Sequence, residues 1–197
     1  MVALKYYTSS SLFERKSARM PSAHFYAVLM REKGHLLQTL VNSFSDARSR
    51  NSRAFALYVL WLVDTNESRQ LLGEAPKRWN ESDLKTVATG LLGRRPKNVL
   101  NSPVSSPRDL DLLWATFFAT GDSAVVEKIT SVVDLAEDGH GRELLLGAAA
   151  RWSLRSNARQ HPRVLEIVGV LARESRGRTA QLLNEIYEEV QEARGRR

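Results

Sequence analysis

Leu110, Leu113, Trp114, Phe117 and Phe118 fall at i, i+3, i+4, i+7 and i+8, and that beat recurs along the chain. Residues so spaced share one face of an α-helix but scatter over both faces of a strand, so the spacing selects helix. Leu36, Leu37, Leu40, Val41 and Phe44 keep the period, as do Val164, Leu165, Val168 and Leu171. Leu182, Leu183, Ile186, Tyr187 and Val190 keep it again, with Glu185, Glu188 and Glu189 outward. Apolar residues lie all round the segment from Phe55 to Val63, which places that helix at the centre of the fold. Val125, Ile129, Val132 and Val133 are β-branched, so a strand competes there, but their period decides for helix. The predicted fold is all-α: stacked antiparallel helix pairs in an α-solenoid-like or irregular helical bundle.

Punctuation residues set the expected boundaries. Pro21 and Ser22 open a helix that Gly34 stops, and Asn51 or Ser52 caps the apolar central helix. Pro76 and Pro96 bracket a weaker helix carrying Leu84, Val87, Leu91 and Leu92. The clearest start is Ser106 as cap, Pro107 in the first helical position and Asp109 three residues on. Gly121 closes that helix and Asp122 or Ser123 caps the next. After the turn Gly139-His140-Gly141, a helix is expected to pack through Leu145, Ala148, Ala149 and Trp152. Residues 1–20 read as a frayed N-terminal segment and 21–194 as one helical domain. That domain divides into sub-lobes 21–96 and 106–194 joined by the Pro/Ser/Asn-rich linker 97–105. A weak internal repeat pairs Thr65-Asn66-Glu67-Ser68 with Thr120-Gly121-Asp122-Ser123, each following an aromatic-rich helix.

Several function classes fall away on composition. The 197 residues contain no cysteine, which removes disulfides, thiolate nucleophiles and cysteine zinc sites. The longest uncharged apolar run, Ala54 to Val63, is about half the ~20 residues that a membrane helix needs. The first twenty residues carry no apolar signal core. A soluble, cytoplasmic protein without a membrane span is expected. The formal charge of +7 rests on 22 arginines among 29 basic residues, spread along the chain rather than blocked.

The stretch from Ser106 to Val170 resembles a group of uncharacterised bacterial helical proteins. The residues that carry the resemblance are DLDLLWATFFATGD at Asp109–Asp122, AARWSLRSNA at Ala149–Ala158, and Gln160-His161-Pro162-Arg163-Val164. They cover about a third of the chain. The resemblance implies an all-helical fold, no known activity, and export signals in some relatives.

Motifs with intrinsic chemistry are sparse. Ser82-Asp83-Leu84-Lys85 fits S-x-x-K without its partner motifs, and Ser82 reads as a helix cap. His24, His35, His140 and His161 are not paired at metal-ligand spacing. Gly90-Leu91-Leu92-Gly93-Arg94-Arg95-Pro96-Lys97 lacks the G-K-[ST] end of a phosphate loop and suits the end of a helix. No residue is therefore nominated as catalytic, cofactor-binding or metal-binding. The candidate interaction surface is Arg151, Arg155 and Arg159, a ladder at four-residue spacing on one helix face, with Arg163 continuing the group past the turn, and Trp79, a tryptophan in a polar stretch. The ladder either pairs with carboxylates such as Glu143 or Glu166, grips a protein, or grips phosphates. The expected function is a helical protein–protein interaction scaffold without catalysis. The competing reading is a basic nucleic-acid-binding protein that uses the ladder.

Overall fold

The computed structural model describes residues 16–45 and 50–196, and every regular element among them is a helix. In order these are α1 (Lys16–Glu32), α2 (Leu36–Ser45), α3 (Arg50–Val63), α4 (Asn66–Arg78), α5 (Ser82–Leu92) and α6 (Pro107–Thr120). They are followed by α7 (Ser123–Thr130), α8 (Leu135–Asp138), α9 (Arg142–Gln160), α10 (Pro162–Glu174) and α11 (Gly177–Gly195). The segment 122–134, where β-branched residues competed for a strand, is α7 followed by turns. Of the N-terminal segment expected to fray, residues 1–15 lie outside the described residues and 16–20 belong to α1. Pro21 lies inside that helix rather than at its start. Pro76 is likewise buried inside α4, not a boundary.

The chain forms two compact units, one from the residues up to Lys97 and one from Asn98 onward, with Phe118–Thr120 grouped with the first. In the first unit α3 is the hub and packs on α1, α2, α4 and α5. Its Ala56, Leu57, Val59 and Leu60 are fully buried, as apolar residues on every side of that helix require. They meet Tyr26, Met30, Leu37, Leu40, Leu72, Trp79 and Leu84 in one core. Tyr26 stands edge-on to Phe55 at 6.1 Å between ring centres.

In the second unit α9 is the hub, packed on α7, α8, α10 and α11. Leu110, Leu113, Trp114 and Phe117 of α6 enter the same core as Leu146, Leu154, Val168 and Ile186. The ion pairs Arg151–Glu185 and Arg155–Glu189 advance together along α9 and α11, so those helices run parallel, with α10 antiparallel to both. Gly147 is where α8 crosses α9. A Cβ there would stand 2.0 Å from the Ala136 amide nitrogen, so only glycine fits.

The turns before α4 and α7 are built alike. A residue in the left-handed region, Asp64 (φ 54) or Gly121 (φ 72), reverses the chain. The next residue, Thr65 or Asp122, then caps the helix that follows. Thr65 and Ser68 form a reciprocal capping box, with bonds of 2.9 and 3.2 Å. The structural repeat therefore pairs Thr65 with Asp122, two residues from the register that sequence similarity suggested through Thr120. At α6, Ser106 is the cap residue but its hydroxyl donates to Asp109, whose carboxylate also accepts from Ser105 N–H. Asp109 is thus the side chain that organises that start.

Candidate interaction surface

Arg151, Arg155 and Arg159 line one side of α9 as their spacing predicts, but they face carboxylates of their own unit. Arg151 donates to Glu185 Oε2 at 2.6 Å and to Glu137 Oε1 at 3.2 Å. Arg155 pairs through Nε with Glu189 Oε2 at 2.8 Å, and Arg159 binds the other oxygen of Glu189. Arg178 joins the group at Glu137. Arg163 lies apart on α10, exposed, and pairs with Glu166 one turn on at 3.2 Å. Three elements, α8, α9 and α11, are thus laced along one edge. Each half-exposed pair contributes about 0.2–1 kcal/mol, less in high salt.

Other arginines close helix ends. Arg31 donates to the carbonyls of Leu62 and Val63 at the end of α3, at 2.8 and 3.1 Å. Arg69 donates to Leu92 O at the end of α5, and Arg194 to Ala158 O and Arg159 O at the end of α9. The last carbonyls of a helix lack partners of their own and carry the negative end of its dipole, so a cation there satisfies both. Much of the basic excess therefore serves helix ends and ion pairs.

The tryptophans exchange the roles expected from the sequence. Trp79 is buried, 6% exposed, within the core of the first unit. It is the cap residue directly after α4, and Asn80 at φ 53 reverses the chain next. The ring thereby turns inward while Arg78 and Asn80 stay in solvent. Trp152, expected on the packed side of α9, is 70% exposed, and Leu145 is 65% exposed. The buried face of α9 is Leu146, Gly147, Ala150, Leu154 and Ala158. Leu144, Leu145, Ala148 and Trp152 form a second, outer apolar stripe. α9 carries two apolar faces and a 3.6-residue period fits either. Small residues at 147, 150 and 158 admit close neighbours on the inner side, and a bulky Trp152 does not.

The remaining sequence candidates have structural places. Ser82 begins α5 and lies exposed, with Lys85 exposed one turn on. Gly93 ends α5, the Trp61 indole donates to Arg94 O at 3.2 Å, and Arg95 is held by Asp64 at 2.9 Å. Burial, and then the charge of Arg31, push the His24 imidazole down to about 4. Burial pushes the Asp111 carboxyl up, and a hydrogen bond from Gln70 leads the causes that lower Glu74. These groups stand on α1, α6 and α4. Among the described residues no three His, Asp or Glu side chains gather to hold a metal ion, and no helix is long and apolar enough to cross a membrane.

Compared with protein-family models, curated proteins and solved structures, the chain matches none.

Proposed function

We propose that this chain is a helical scaffold that binds another protein, without catalysis, and that the outer face of α9 is its docking surface. The observation that carries this reading is the exposure of Trp152 beside Leu145 on a helix whose opposite face is already buried. An indole offers a large apolar contact at little entropic cost, and exposed tryptophans are favoured anchors of protein contacts. The occupant that suits such a stripe is an apolar face of another helix. A cytoplasmic location, and membership of the bacterial family that Ser106–Val170 resembles, belong to the same proposal.

The nucleic-acid reading needs guanidinium groups free to reach phosphates. Arg151, Arg155 and Arg159 instead hold Glu137, Glu185 and Glu189, which favours the protein-binding reading. The test is parallel affinity retention of wild type, Trp152→Ala and Arg155→Ala from cell extract, with and without nuclease. A protein retained by wild type and Arg155→Ala, lost with Trp152→Ala and indifferent to nuclease is expected. Retention that needs Arg155 and disappears with nuclease would replace this reading with the nucleic-acid one.

A further inference from the structure

We draw no further inference here: the strongest candidate, the exposed apolar stripe of Leu144, Leu145, Ala148 and Trp152 on the outer side of α9, belongs to the surface already described, and nothing in the structure shows what covers it.

Discussion

His24 is a buried imidazole on α1, and its position explains how one residue makes stability depend on pH. Folding lowers its pKa to about 4 from 6.5, so the folded state prefers the neutral ring. The contribution is therefore complete above about pH 6.5 and is lost as pH falls toward 4, where the unfolded chain binds the proton first. The full loss is on the order of 3 kcal/mol. A urea midpoint that holds steady above that window and falls through it is expected; a midpoint flat down to the carboxylate range would contradict the burial of His24. Trp79 is the companion case among the aromatics. Its polar neighbours suggested the surface, because a sequence window does not reveal a chain reversal at Asn80. Trp79→Ala is expected to cost about 3–5 kcal/mol in chemical denaturation, the range for a buried aromatic. An effect below about 1 kcal/mol would return it to the surface.

Among the elements, those with a single apolar face were fully legible. α2, α10 and α11 follow from their periods, and α6 and α7 from Pro107, Gly121 and Asp122. α9 was legible as a helix but not in its orientation, because Leu144, Leu145, Ala148 and Trp152 make as good a stripe as Leu146, Ala150, Leu154 and Ala158. The deciding contact is between elements, at Gly147, where α8 presses its backbone onto α9. A methyl group there meets the backbone at Leu135 and Ala136 rather than a movable side chain, so Gly147→Ala is expected to cost at least about 1–3 kcal/mol despite alanine's higher helix propensity. Thermal unfolding of this variant at or above the wild-type midpoint would contradict that packing. The ladder was legible as a row of cations, and its partners were not. Glu185 and Glu189 lie some thirty residues away, and only the parallel run of α9 and α11 brings them alongside.

For the molecule as a whole, a charge of +7 spread along the chain leaves a polyanion partner open, and the fold places many of its arginines on helix ends and on its own carboxylates. Any retardation of DNA at low salt should therefore be indifferent to Arg155→Ala; a fall of about one in the salt slope would restore the ladder as a phosphate grip. Two units, each built around one hub helix, α3 or α9, carry the fold, and the two most exposed large apolar side chains among the described residues, Trp152 and Leu145, stand on the outward side of α9. Everything functional proposed for this chain depends on which way that helix faces. Equilibrium unfolding of Trp152→Ala beside Leu154→Ala measures it directly. Trp152→Ala is expected to stay within about 0.5 kcal/mol of wild type, and Leu154→Ala to lose about 2–5 kcal/mol. Equal losses, or the larger loss at Trp152, would mean that the docking face is part of the core.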